Sequence, residues 1–106
     1  MSRIRIKQGE QRRLFFTVRD AAGKLVDLTD TELLFRVRSN HQTVIEKPNN
    51  EFTRNSQGVV SVLLTVTETN LPAGVYVGEL RIDFQDADGT IEKSWDLSLE
   101  IIRAIT

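Results

Sequence analysis

Apolar residues recur at every second position along most of this chain. Ile4 and Ile6 alternate with Arg3, Arg5 and Lys7, and after Gln8-Gly9-Glu10 the residues Leu14, Phe16 and Val18 alternate with Arg13, Thr17 and Arg19. Leu33, Phe35 and Val37 repeat the pattern against Glu32, Arg36 and Arg38. Val60, Val62, Leu64 and Val66 do so against Ser61, Thr65 and Thr67. Tyr76, Gly78, Leu80, Ile82 and Phe84 oppose Glu79, Arg81, Asp83 and Gln85, and Trp95, Leu97, Leu99 and Ile101 oppose Ser94, Asp96, Ser98 and Glu100. Successive side chains of a strand point to opposite faces, so each segment predicts a strand with one core face and one wet face. No long window offers the three- and four-residue spacing of a helix. Weaker short strands are expected near Thr43–Lys47 and Glu51–Arg54.

Turn residues separate these runs. Asp20-Ala21-Ala22-Gly23-Lys24 and Asp86-Ala87-Asp88-Gly89 read as hairpin loops, with glycine supplying the positive φ of a tight turn. Pro48-Asn49-Asn50 and Asn55-Ser56-Gln57-Gly58 mark further turns. Roughly seven or eight short strands at this spacing predict an all-β, antiparallel sandwich or barrel, with its longest hairpin at the C-terminal side.

The 106 residues suit one domain, 1–106, with no linker, repeat or low-complexity segment. With 40% hydrophobic and 27% charged residues the composition is that of an ordinary globular chain. Fourteen basic and fifteen acidic residues give a net charge of −1, so no overall field draws the chain to nucleic acid or a membrane. Cysteine is absent, which excludes a disulfide framework and thiol chemistry. The N-terminal residues lack the apolar core of a signal peptide, and no apolar run is long enough to span a bilayer.

One corner is more specific. Asn70-Leu71-Pro72-Ala73-Gly74-Val75-Tyr76 leads into the penultimate long strand, and Tyr76 is the only tyrosine. A tyrosine placed there resembles the tyrosine corner of immunoglobulin-like sandwiches, whose phenol bonds back to upstream backbone. Tyr76, Pro72 and Gly74 are therefore read as a structural corner. Antibody domains pair cysteines around a Trp on an early strand; here Trp95 lies on the last strand, and it is expected on the core face.

The sequence holds no recognisable catalytic set, cofactor site or metal site. His41 is the only histidine and sits in the polar turn Ser39-Asn40-His41-Gln42-Thr43, so it reads as an exposed loop residue. The glycines are scattered singly, so no phosphate-binding loop is present. Asp83, Asp86, Asp88 and Glu92 cluster near a hairpin, but Gly89 comes too early for a calcium loop and its flanks are strands. The chain is expected not to be an enzyme.

What remains is surface. Arg3, Arg5, Lys7, Arg12 and Arg13 face one acid, Glu10. Such a stripe contacts phosphate, an anionic glycan or an acidic protein surface or, more simply, guards an edge strand from unwanted pairing. Phe15 and Phe16 are adjacent, as are Leu33 and Leu34, and Leu63 and Leu64, so one member of each pair must leave the core face. Phe15, Leu34 and Leu63, with Arg3 and Arg5, form the candidate protein interface.

Three segments in order carry a family resemblance: Ile6-Lys7-Gln8-Gly9-Glu10, then Phe16 through Asp20-Ala21-Ala22-Gly23-Lys24 to Val26-Asp27-Leu28-Thr29, then Leu71-Pro72-Ala73-Gly74-Val75-Tyr76 with Leu80. Together they span almost the whole chain. The pattern resembles the N-terminal domain of the phage baseplate upper protein family and related small tail proteins. The resemblance implies an immunoglobulin-like β-sandwich that acts as a non-catalytic, protein-binding module of a phage or prophage tail or baseplate. It implies other virion or tail proteins as partners, a homo-oligomer, and a place in the virion tail, or in the host cytoplasm before assembly. Members of the family continue into linker and receptor-binding parts. With Met1 as a natural start and Thr106 as its last residue, this chain is expected to be a small accessory protein or an excised domain. The alternative is a carbohydrate-binding or adhesive sandwich. At 7% aromatic residues, with Trp95 and Tyr76 both assigned to the core, the chain offers little for a sugar platform.

Overall fold

The alternating segments become strands. The computed structural model describes residues 3–19, 22–29, 31–54, 58–86 and 89–104, with backbone alone for 84–86 and 89–93. Eight strands are formed: β1 (Arg3–Lys7), β2 (Arg12–Thr17), β3 (Thr31–Ser39), β4 (Gln42–Lys47), β5 (Phe52–Arg54), β6 (Val59–Leu64), β7 (Gly74–Asp86) and β8 (Gly89–Ile102). They build an all-β sandwich of two sheets, a five-stranded one in the order β1-β8-β7-β3-β4 and a three-stranded one in the order β2-β6-β5. The weak strands expected near Thr43 and Glu51 are β4 and β5, and β7–β8 is the long C-terminal hairpin. Its strands pair up to Asp86↔Gly89; Ala87 and Asp88 lie outside the described residues, as do Asp20, Ala21 and 55–57 of the other expected turns.

Inward residues of both sheets interdigitate. Ile6, Leu28, Phe35, Val37, Val60, Val62, Leu64, Ile82, Leu99 and Ile101 are essentially inaccessible to water. At roughly 1.5–3 kcal/mol for each large apolar side chain buried, this layer is the main source of stability. Phe16 lies against Phe35 with ring centroids 5.6 Å apart. Gly78 on β7 leaves room for its neighbours: a Cβ there would sit 2.9 Å from Leu97 Cδ1 and 3.3 Å from Phe35 Cε1, so the Leu97 side chain would have to shift. His41 sits, exposed, beside Asn40 in the turn joining β3 to β4, with φ of 68° and 50°. Positive φ at both central residues matches the twist of a two-residue hairpin.

Two expectations are corrected. The alternation was extended through Val66 and Thr67, but β6 stops at Leu64 and Val66–Thr69 form a single helical turn, α1. Thr65 Oγ1 accepts from the Glu68 N–H at 3.2 Å, and Thr65 N–H donates to Glu68 Oε1 at 2.9 Å. This reciprocal capping box satisfies donors that a continued strand would not have freed. The pairing is also not wholly antiparallel, since β1 runs parallel to β8, Arg3↔Ser98 through Lys7↔Ile102. β1 must cross from one sheet to β2 in the other within a short turn, which brings it alongside the end of β8.

That turn, α1 and the 70–76 corner together close one end of the sandwich. Thr69, fully buried, donates its hydroxyl to Glu10 O at 2.7 Å, and Gln8 Nε2 donates to Leu71 O at 2.8 Å. Lys47, 6% exposed, faces inward from β4 and places its Nζ 2.6 Å from Glu68 Oε1. A buried ammonium needs such a partner, since an isolated charge in the core is costly.

Candidate binding surface at the open side of the sandwich

The corner residues lie together. Tyr76 is buried and its hydroxyl donates to Pro72 O at 2.6 Å, while Gly74 begins β7 with φ of 154°. The phenol thereby ties the strand start to the loop four residues upstream and satisfies its one buried polar atom.

The five candidate interface residues do not come together. Phe15, 67% exposed, and Leu63 lie on the outer face of the three-stranded sheet, through the pairs Phe15↔Ser61 and Arg13↔Leu63. Leu34, half-buried, faces outward from β3 opposite Arg81, on the other sheet. Arg3 and Arg5 are exposed on β1 at the edge of that same five-stranded sheet. Adjacency in sequence identified residues that leave the core but not which of two opposed faces they reach.

The basic stripe is largely answered by acids. Arg5 Nε lies 3.1 Å from Glu100 Oε1 and Arg12 Nη1 lies 2.9 Å from Glu10 Oε2. Arg13 donates to Ser61 Oγ at 3.2 Å. Across the five-stranded sheet Arg36 pairs with Glu46 at 3.3 Å and Arg38 with Glu79 at 3.8 Å. The face is a checkerboard of opposite charges rather than a basic patch. The Glu10 carboxyl is held below its ordinary pKa by the Lys7 backbone N–H and then by Arg12. Asp27 is lowered by the backbone N–H and then the hydroxyl of Thr29. For Glu68 burial acts to raise the pKa, but the Lys47 ammonium and the Thr65 donors outweigh it and the net shift is downward.

A feature that the sequence reading did not foresee lies at the open side. A groove of about 550 Å³ runs between the edges of the two sheets, lined by Ile4, Phe15, Phe16, Trp95 and Leu97, with Thr17, Val18, Arg19, Leu80 and Asp96. Trp95 is 41% exposed there, which corrects its assignment to the core. The parity was right, since Trp95 pairs with the buried Leu80 and so belongs to the inward face. The missing element is cover: β2, the edge strand of the three-stranded sheet, lies across the gap, and among the described residues no element closes over the indole.

The origin of the gap is a mismatch of strand lengths. β8 has 14 residues and β1 only 5, so β1 pairs with β8 only from Ser98 to Ile102. Among the described residues, no strand pairs with Gly89–Leu97 on the side away from β7. Among the described residues, the ionisable residues lining the groove are Arg19 and Asp96, and Arg19 Nη1 donates to Gly23 O at 3.0 Å. No group of three or more His, Cys, Asp or Glu residues able to hold a metal ion occurs among the described residues, and none of their helices is long and apolar enough to cross a membrane. The groove offers apolar surface beside main chain that, among the described residues, has no strand partner on that side. No family model matches the chain, and no curated protein matches it.

Proposed function

We propose that this chain is a non-catalytic, protein-binding module of a phage or prophage tail or baseplate assembly, built as an immunoglobulin-like sandwich. The observation that carries the binding role is the open side: an apolar groove exposed to water beside a stretch of β8, Gly89–Leu97, that among the described residues has no strand neighbour on the side away from β7. The order β2-β6-β5 facing β8-β7-β3 supports the immunoglobulin-like reading, because it matches strands B-E-D facing G-F-C in such domains. The Tyr76 bond to Pro72 supports it too, as does the motif series from Ile6 to Tyr76 for the tail-protein reading. Its partners are other virion proteins and further copies of the chain, in the tail or in the host cytoplasm before assembly.

Sedimentation of the chain alone, and mixed with the products of the genes that flank its own, tests this. Self-association or a complex with a neighbouring tail protein at micromolar concentration is expected. A strict monomer that binds none of them overturns it.

One observation favours a second reading, a carbohydrate-binding or adhesive sandwich: Trp95 is exposed in a groove that Phe15 also lines. An aromatic face open to solvent is what a sugar ring stacks on. Saturable quenching of Trp95 fluorescence by a soluble oligosaccharide would move the assignment to that class.

A further inference from the structure

We infer that the outer face of the five-stranded sheet docks on the same face of a second copy of the chain, about a two-fold axis that runs along β7. This rests on the protein-binding reading above and names the partner as the chain itself.

β7 is the middle strand of that sheet, with β8 and then β1 on one side and β3 and then β4 on the other. On its outer face β7 presents Val75 and Val77, two positions apart and 57% and 53% exposed. The registers place their neighbours. Glu100 stands beside Val75, and Ser98 and Arg38 flank Val77. In the next row Asp96 and Arg36 flank Glu79, with Glu46 beyond Arg36. On β1, Arg3 and Arg5 stand beside Ser98 and Glu100.

Over these rows the charge changes sign from strand to strand. From β1 to β4 the outward residues are basic (Arg3, Arg5), acidic (Asp96, Glu100), apolar in the middle (Val75, Val77), basic (Arg36, Arg38) and acidic (Glu46). Reading the order backwards exchanges every sign. A two-fold axis along β7 performs that reversal, laying β8 over β3 of the second copy and β1 over its β4. Val75 and Val77 then meet their own counterparts at the axis. Arg36 of each copy meets Asp96 of the other, and Arg3 comes beside Glu46. A surface that is its own complement is what an isologous contact requires. Glu79, also on the axis, is held by Arg38 at 3.8 Å. Toward the other end of β7 the match stops, because Glu32 and Asp83 put acid beside acid. The contact is therefore confined to the half of the face around Val77. That is the small end of specific interfaces, below ~1,200 Å² in total, and a micromolar dimer is expected.

Sedimentation equilibrium of the full chain, up to millimolar concentration, tests this. Val77→Glu, at an exposed position, should keep the parent's thermal transition and abolish the dimer. Arg36→Glu alone and Asp96→Arg alone should each weaken it by about tenfold or more. An equimolar mixture of those two variants should associate as tightly as the parent, since each supplies the charge that the other lacks. Mixing cannot repair a side chain that acts only within its own chain. A mixture no tighter than its components, or a Val77→Glu chain that still dimerises, overturns the inference. So does a monomeric parent. If that monomer still binds a neighbouring tail protein, the dimer alone falls; loss of such binding in Val77→Glu would give the face to that protein instead. If the chain binds neither itself nor its neighbours, the protein-binding reading falls as well.

Discussion

The two ends of the sandwich use the same alternating chemistry and reach opposite outcomes. At the closed end Gln8, Thr69, Tyr76 and Glu68 answer polar groups of Leu71, Glu10, Pro72 and Lys47, and Leu64 and Ile6 are fully buried. At the open side the inward-facing Trp95 stays 41% exposed, because β8 outruns both β1 and the facing sheet. Parity along a strand decides which face a side chain joins. Whether that face is covered depends on the length of strands far away in sequence. Stability is thus concentrated where short loops cross between sheets, and available surface where strands are unequal.

The sharpest way to break this comparison is to truncate one apolar residue at each end. Leu64→Ala should cost about 2–5 kcal/mol, through lost burial and the cavity left behind. Trp95→Ala should cost less, about 1–2 kcal/mol, because 41% of the residue is already in water. Chemical denaturation measures both, and similar losses would abolish the distinction. A smaller effect, about 1 kcal/mol, is expected for Tyr76→Phe, which removes the bond to Pro72 O and leaves the ring in place.

The smallest effect is seen in pH. The folded pKa of Glu68 lies below its usual 4.5, so its carboxylate stabilises the fold above pH 4.5, and this contribution is lost as pH falls through the lowered value. Glu10 and Asp27 act in the same direction. Denaturation midpoints measured from neutral to acid pH should fall less steeply for Glu68→Gln than for the parent chain. An unchanged slope would mean that the Lys47–Glu68 pair contributes nothing to closing that end.

Much of the fold was legible in the residues because alternation is a local signal: β2, β3, β6, β7 and β8 all follow from it, as does the inward parity of Trp95. Other errors came from reading alternation past its end. Val66 continues the beat of Val60, Val62 and Leu64, but Thr65-Val66-Thr67-Glu68 is also a capping box, and that signal was present and passed over. The parallel pairing of β1, the assignment of strands to sheets, and the groove were not legible. Each depends on which distant edge a strand meets, and short strands such as β1 carry no register information of their own. The same limit explains why Phe15 and Leu34 were grouped together, although they ended on opposed faces.

The parallel setting of β1 against β8 has a mechanical consequence. Tension applied between Arg3 and Ile102 pulls these neighbouring strands in opposite directions along their lengths. The five pairs from Arg3↔Ser98 to Lys7↔Ile102 then share the load in shear, and cannot be peeled apart one by one as at the tip of a hairpin. A domain strung between two attachment points by these ends would resist extension through its unfolding barrier rather than its equilibrium stability.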